Sequence, residues 1–300
     1  MAERNLSERT RGKKLSVNVD LADLEQRAKS ILTTHAFEYI AGGAGLGHTV
    51  SQNRSAFDQY KITPRMLTNV SERDTSVEIL GTKLPVPLFL SPVGVLELSH
   101  RDADLAVARA AAATGVPFIF SNQASVPMEK VASVMGDKPH WFQMYWSKSR
   151  DLVASFARRA EACGCSAIVV TLDTTLLGWR TRDLDLAYLP FLEGKGIAQY
   201  TSDPVFQKLM DELDDSLPPA VTLHSIIALF KMTSAYPGKN YLKKFLSGRP
   251  RKAIRKFVSI YSNPALTWSD LSFLRENTKL PILLKGILHP DDASKAIDHE

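Results

Sequence analysis

The sequence predicts an α/β fold, a parallel TIM (β/α)8 barrel, from two observations. Five short apolar runs each end in residues that can bind or catalyse, and these runs are Leu88 to Gly94, Phe118 to Gln123, Trp141 to Tyr145, Ile168 to Arg180 and Ile282 to Gly286. From Leu84 onward, such runs alternate with amphipathic stretches that end in glycine, which is typical of repeated βα units. Because these barrels place their active sites at the carboxyl ends of the strands, the polar residues are predicted to share one pocket.

Two segments of different character are predicted. Residues 1–83 form an amino-terminal helical segment with a barrel-floor hairpin, and residues 84–300 form the first part of the barrel. After the fourth predicted strand comes a long helical insertion at about 186–265, and a connection of that length usually serves as a lid or an interface. Five of eight barrel strands are predicted, so we expect a barrel truncated after about its fifth strand, which would not fold stably alone.

The amino-terminal segment is predicted to hold two helices. Apolar residues from Leu21 to Leu32 recur with helical spacing after Asp20, a candidate N-cap. A second short helix starts at Thr34 and stops before a glycine cluster, Gly42 to Gly47. That cluster follows a helix and lacks the GxGxxG spacing, so it predicts a helix end and a loop rather than a dinucleotide site.

Composition narrows the class of protein. The chain is 44% hydrophobic, and no run approaches the roughly 18 apolar residues that span a bilayer, so we predict a cytoplasmic protein without a membrane partner. The net charge of +5 comes from the stretch 239–256, which holds eight basic residues and no acidic one. This stretch predicts a solvated helix face, or a patch that meets an acidic surface or another subunit; no nucleic-acid partner is predicted. Cys163 and Cys165 are too close for an ordinary disulfide and are predicted to be reduced.

The predicted strand ends offer neutral hydrogen-bonding groups and two cations. Ser121, Gln143 and Thr171 suit the edge of a planar ring. Arg180 offers a bidentate fork for a carboxylate, and Lys285 offers a point charge. Any one of these residues alone is more often structural, so the prediction depends on their occurrence together.

In their order along the chain, these residues resemble the FMN-dependent 2-hydroxy-acid oxidase and dehydrogenase family, which includes glycolate oxidase and lactate oxidase. The resemblance runs from about Leu21 to the end of the chain, except for part of the insertion. It is carried by the segments FEYIAGGAG, SPVG, TLDTTLLGWR and LPILLKG. It implies FMN as cofactor, a small 2-hydroxy carboxylate and O2 as partners, and a homo-oligomeric full-length enzyme.

The resemblance also implies a role for each site residue. Those expected to hold the flavin are Pro92, Val93, Gly94, Ser121, Gln143, Thr171 and Lys285. Those expected to contact the substrate during catalysis are Tyr39, Tyr145 and Arg180. A fixed cation at Lys285 would stabilise the negative charge of the reduced ring, and no metal site is predicted.

Two features are similar to the lactate 2-monooxygenase branch, in which pyruvate stays bound and is decarboxylated to acetate and CO2. Gly94 stands where many oxidases carry alanine, and the segment after Arg180 resembles that branch's extended lid. Gly94 can also be a neutral turn glycine. The alternatives are a simple oxidase or dehydrogenase that releases the 2-keto acid, a truncated inactive paralogue with a scaffold role, and a different flavin barrel such as isopentenyl-diphosphate isomerase.

The resemblance further implies a general base that the sequence does not contain. In the family this base is a histidine in an SNHGGRQ-type motif beyond the lysine, followed by an arginine. None of the seven histidines lies in such a motif, so both residues are expected after Glu300, and this chain by itself is not expected to oxidise lactate.

Overall fold

The computed structural model describes residues 20–213 and 223–299. The polar arm before Asp20 and the first two residues of a helix predicted from Val221 lie outside the described residues. The chain divides into two units: one holds the residues up to His48 together with Arg180–Tyr188, and the other holds Thr49–Trp179 and the residues from Leu189 onward. The division at residue 83 stays a prediction.

Helices and strands alternate in the second unit from Ala103 to Thr171, as the bounds of the described elements show. The α-helices are α1 (Ala22–Ile31), α2 (Thr34–Ala41), α3 (His48–Ser55), α4 (Ala103–Thr114), α5 (Met128–Met135), α6 (Arg150–Ala162), α7 (Thr181–Asp185), α8 (Ala198–Thr201), α9 (Pro204–Asp211), α10 (Leu223–Ala235), α11 (Tyr241–Leu246), α12 (Arg249–Ile260), α13 (Asp270–Glu276) and α14 (Pro290–Asp298). The strands are β1 (Val77–Ile79), β2 (Thr82–Leu84), β3 (Phe118–Ser121), β4 (His140–Tyr145), β5 (Ile168–Thr171) and β6 (Ile282–Lys285). Short 3-10 helices lie at Ala56–Gln59, Leu96–Leu98 and Pro190–Glu193.

The first unit is built from α1, α2 and α7. The Thr33 side chain accepts a hydrogen bond from the Ala36 N–H at 3.3 Å and so caps the start of α2. Gly42 ends this helix, as predicted, and its N–H donates to the Glu38 carbonyl. The N-cap position of α1 is Leu21, one residue later than predicted, and its side chain makes no capping bond.

The second unit contains a parallel sheet of four strands in the order β3-β4-β5-β6. Helices α5 and α6 connect its first three strands, which confirms the predicted βα repeat. A segment with several helices, α7 to α13, separates β5 from β6, where the insertion was predicted. The hairpin predicted around residue 80 is also present, because β1 and β2 pair antiparallel.

The prediction of a strand at Leu88–Gly94 is wrong. Within the described residues this segment pairs with the sheet through one residue, Leu90, which lies parallel to Phe118. Leu90 donates its N–H to the Pro117 carbonyl at 2.9 Å and accepts from the Ile119 N–H at 3.0 Å. The next bond on either side would need an N–H from Pro92 or from Pro117, and because proline has none, the ladder does not extend.

The two faces of the sheet bury different kinds of side chain because successive residues of a strand point in opposite directions. Phe118, Phe120, Phe142, Ile168 and Val170 alternate on one face and are almost completely buried. The other face carries a smaller cluster of Trp141, Ala167 and Val169, against which the hairpin residue Ile79 and the β6 residue Leu283 pack.

An aromatic cluster joins the inserted segment to α6. The Tyr200 ring, fully buried, lies edge-on to Phe156 of α6 at 5.1 Å between ring centroids. It also meets Phe206 at 5.5 Å and Phe257 at 4.8 Å, both from the inserted segment.

The part of the chain that the structure describes contains no helix with the length and apolar character needed to cross a membrane.

A buried ion pair makes a second link between α6 and the inserted segment. Arg159 Nη1 donates to Asp203 Oδ2 at 3.0 Å, and the Asp203 side chain is completely buried. The other oxygen of Asp203 caps α9 by accepting from the Val205 and Phe206 N–H groups. One carboxylate therefore neutralises a cation and also starts a helix.

Asp203→Ala should lower the free energy of unfolding by about 2–4 kcal/mol, because it removes the buried acceptor of Arg159 and Ser155 and also the cap of α9, although Arg159 keeps its ion pair with Glu129. Denaturant unfolding of the whole protein would measure the loss. The matched control is Asp211→Ala at the other end of α9, where the ion pair with Arg249 has a 63% exposed carboxylate. This control should lose less than about 1 kcal/mol, and equal losses in the two variants would contradict the assignment.

Candidate functional site

The parallel register brings the predicted polar residues of the sheet to one end and one face. Ser121 lies beside Gln143, Tyr145 lies beside Thr171, and Thr171 lies beside Lys285. Ser121 and Gln143 are in register with Val169, and Tyr145, Thr171 and Lys285 are in register with one another two residues further on, so all five lie on the face of Trp141 and Val169. The predicted convergence of these residues is confirmed in the described structure.

A chain of hydrogen bonds connects three of these side chains across three strands. Ser121 Oγ donates to Gln143 Oε1 at 2.9 Å, and Gln143 Nε2 donates to Thr171 Oγ1 at 2.9 Å. Each of the three residues is at most 4% exposed. The chain fixes the orientation of the Gln143 amide and leaves one Nε2 hydrogen and the Thr171 hydroxyl hydrogen available as donors.

The segment Pro92–Gly94 lies next to this chain through Gln123. The N–H of Val95 donates to the Gln123 carbonyl at 2.9 Å. A Cβ added at Gly94 would lie 3.3 Å from the Gln123 Cβ, so this side of Gly94 has no room for a methyl group without a small shift. Pro92 is partly exposed and Val93 is exposed, which leaves the outer side of the segment accessible.

Lys285 at the end of β6 has an aspartate partner. Its Nζ donates to Asp173 Oδ2 at 2.9 Å, with both side chains nearly half exposed. The next residue, Gly286, has φ 103°, and a Cβ there would lie 3.1 Å from the backbone nitrogen of Asp173. Glycine is required at 286 because the two strand ends approach each other so closely.

Tyr145 is held in its neutral form. Burial raises the pKa of its phenol, and the negative charge of Asp173 raises it further. A protonated phenol can donate a hydrogen bond to an anionic ligand, which a phenolate cannot do. Asp173 therefore influences both Tyr145 and Lys285.

Tyr39 and Arg180 lie together in the first unit. The Arg180 guanidinium carbon lies 4.9 Å from the centroid of the Tyr39 ring, and Nη2 donates to the Tyr39 carbonyl. Arg180 Nε donates to Asp183 Oδ2 at 2.5 Å. The sequence predicted the two residues separately, and the structure brings them into contact.

Sequence reasoning missed the partners of both cations. Asp173 directly follows a predicted strand, but the sequence does not show that this strand end lies beside Lys285. Asp183 carries no local signal beyond its spacing of three residues from Arg180 in a helical turn.

Comparison with known proteins assigns the chain to a family. The model of the FMN-dependent dehydrogenase family matches residues 28–300. The chain belongs to this family. It is 36% identical over 276 residues to an L-lactate oxidase of Lysinibacillus sphaericus (strain C3-41), an alignment that covers 92% of this chain and 62% of that protein. It is 30% identical over 283 residues to 2-hydroxyacid oxidase 1 of Homo sapiens, covering 92% of this chain and 65% of that protein.

A solved relative shares the fold. The crystal structure of mandelate oxidase with (S)-4-hydroxymandelic acid matches with a TM-score of 0.69 and 29% identity, covering 94% of this chain and 68% of that chain. The chain spans about three fifths of the length of the first curated relatives that it matches, 62% of one and 61% of another.

The strand-end residues of this family member fit FMN, the family's cofactor. The free donors on Gln143 and Thr171 suit the carbonyl oxygens and ring nitrogens at a flavin edge. Lys285 supplies a cation at the same end of the sheet, and position 94 has no side chain because it is a glycine. Apart from Asp173, which pairs with Lys285, these residue types are neutral or positive, which suits a ring that accumulates negative charge on reduction.

Gln143→Leu should raise the dissociation constant of FMN by about tenfold, because it removes the donor to the ring and leaves Ser121 and Thr171 without their shared partner. Equilibrium dialysis of flavin from the whole protein would measure this. The matched control is Gln207→Leu in α9, which loses amide hydrogen bonds to the Thr201 carbonyl and to Arg249. Equal loss of FMN in both variants would show that Gln143 acts through stability alone.

Proposed function

We propose that the whole protein oxidises a small L-2-hydroxy acid, with lactate as the leading substrate. The observation that carries the proposal is the neutral chain Ser121–Gln143–Thr171 beside Lys285, at the carboxyl end of a parallel sheet. Family membership and the names of the relatives support it. The proposal includes a complete (β/α)8 barrel, of which the four strands are a part, and a homo-oligomeric protein.

In this proposal three residues predicted from the sequence hold the substrate. Arg180 binds the carboxylate, because a guanidinium can form two parallel charge-assisted hydrogen bonds with it. Tyr39 and Tyr145 orient the substrate, and the raised pKa of Tyr145 keeps its phenol a donor. The proton acceptor in this proposal is a histidine of the whole protein, as the family resemblance implies.

FMN, when bound, supplies the acceptor for the two electrons that leave the substrate. Pro92, Val93 and Gly94 would lie along the edge of its ring, while Ser121, Gln143 and Thr171 would hydrogen-bond to it. Lys285 would hold a positive charge beside the part of the ring that becomes negative. Asp173 neutralises Lys285 in the described structure and so limits how strongly that cation acts.

The finer proposal is a lactate 2-monooxygenase, which converts lactate and O2 into acetate, CO2 and water. It is supported by Gly94 and by the long helical segment between β5 and β6. The names of the relatives, which include L-lactate oxidase and 2-hydroxyacid oxidase, favour the simpler alternative. In that alternative the products are the 2-keto acid and hydrogen peroxide.

Product analysis of the whole protein with lactate under air should give acetate and CO2 in a 1:1 ratio. Gly94→Ala should shift the products toward pyruvate and peroxide, because the added Cβ would lie 3.3 Å from the Gln123 Cβ and displace the segment beside the ring. Pyruvate with stoichiometric peroxide from the parent protein would reject the monooxygenase and leave the oxidase. Absence of any lactate-dependent O2 uptake would reject both, provided that other 2-hydroxy acids are also inactive.

Lys285→Met should lower the reduction potential of bound FMN by roughly 30 mV or more, corresponding to about 1.4 kcal/mol of lost charge stabilisation. A dye-coupled reductive titration would measure the potential. Lys279→Met, which removes an exposed lysine before β6, is the matched control and should leave the potential unchanged. The same potential in parent and Lys285→Met would remove this lysine from the flavin site.

A further inference from the structure

The protein itself uses some of the hydrogen-bond donors of the Arg180 guanidinium. Its five N–H donors lie on two edges of a planar fork. Nε donates to Asp183 Oδ2, and Nη2 donates one hydrogen to the Tyr39 carbonyl. Nη1 meets no acceptor among the described residues, which leaves both of its hydrogens available as donors.

Arg180 and the residue after it both contact the glycine cluster, Gly42 to Gly47. Arg180 forms a parallel bridge with Gly45, and Thr181 Oγ1 donates to the Gly45 carbonyl at 3.1 Å. A Cβ at Gly42 would lie 2.5 Å from the Glu38 carbonyl oxygen and 3.5 Å from Arg180 Nη2. The close approach at Gly42 is therefore to the end of α2, whereas the guanidinium lies at ordinary contact distance from this position.

Asp183 provides the charged contact to Arg180. Its side chain is 8% exposed, that of Arg180 is 26% exposed, and the two are joined at 2.5 Å. Asp183 Oδ1 is buried and has no hydrogen-bond partner among the described residues. A buried carboxylate held by one cation is costly unless that cation stays in place, so the pair restricts where Arg180 can point.

We propose that Asp183 is a positioning residue for carboxylate recognition, holding Nε of Arg180 so that Nη1 faces the substrate. This inference rests on the proposed role of Arg180 in binding the substrate carboxylate. It assigns a function to the glycine cluster as well, because Gly45 pairs with the backbone of Arg180 and binds the side chain of Thr181. A guanidinium that is already oriented loses less conformational entropy when the carboxylate binds, and the affinity for the carboxylate is therefore higher.

If Asp183 acted through its charge alone, its removal would have the opposite effect on ligand binding from the effect expected of a positioning residue. Removing the negative charge of Asp183 would make the site more positive, and an anionic ligand would bind more tightly. A role through position predicts weaker binding when the acceptor is lost. It also predicts that asparagine, whose Oδ1 accepts from Nε–H without a charge, preserves binding.

The test is binding of oxalate, a small dicarboxylate probe, to the whole FMN-loaded protein, measured by titration of the flavin absorbance. Asp183→Ala should weaken binding about tenfold, whereas Asp183→Asn should stay within about threefold of the parent. The matched control is Glu38→Gln, which breaks the 2.8 Å ion pair of Arg182 with α2 and leaves Arg180 untouched. It should not change the dissociation constant. Arg180→Met should lose oxalate binding.

The outcomes separate this inference from the role of Arg180. Unchanged binding in Asp183→Ala with loss in Arg180→Met would overturn the positioning role and leave the substrate contact intact. Unchanged binding in Arg180→Met would overturn both. If Asp183→Ala does not fold, Asp183→Asn decides, because tenfold tighter or weaker binding in that variant would contradict a role that needs an acceptor and no charge.

Discussion

The parallel register of β3 to β6 is the constraint on which the candidate site depends. Four strands that run in one direction place their last residues at a common edge, and the alternation of side chains puts Ser121, Gln143, Thr171 and Lys285 on one face. A slip of one residue in any strand would turn its polar group toward the helices. The large buried residues on the opposite face, such as Phe120 and Phe142, prevent that slip because they fill the layer beneath the helices.

Both cations of the candidate site have an aspartate partner. Lys285 is paired with Asp173, and Arg180 is paired with Asp183. The two pairs differ in exposure, since the lysine pair is nearly half exposed and the arginine pair is mostly buried. An exposed pair can exchange its partner for a ligand at low cost, whereas a buried pair keeps its geometry and restricts direction.

Much of the fold could be predicted from local patterns. Apolar runs marked β3, β4, β5 and β6, and the end of α2 at Gly42 followed from its glycine. The segment Leu88–Gly94 has the composition of a strand, but neighbouring prolines limit its pairing to Leu90. A hydropathy pattern does not show that proline lacks the N–H group that a strand needs. Residue types at the strand ends indicated the site. The pairing of Arg180 with Tyr39 could not be predicted, because 140 residues separate them and the contact depends on how α7 lies against α2.

The aromatic cluster around Tyr200 has a consequence for engineering. Tyr200 and Phe206 come from the segment after β5, yet they complete the packing around Phe156 on α6. This segment therefore cannot be replaced by a shorter loop without cost. Its removal would leave a cavity beside Phe156 and expose that ring to water. A chimera with a relative of different length would need to transplant the rings together with the residues of α6 that receive them.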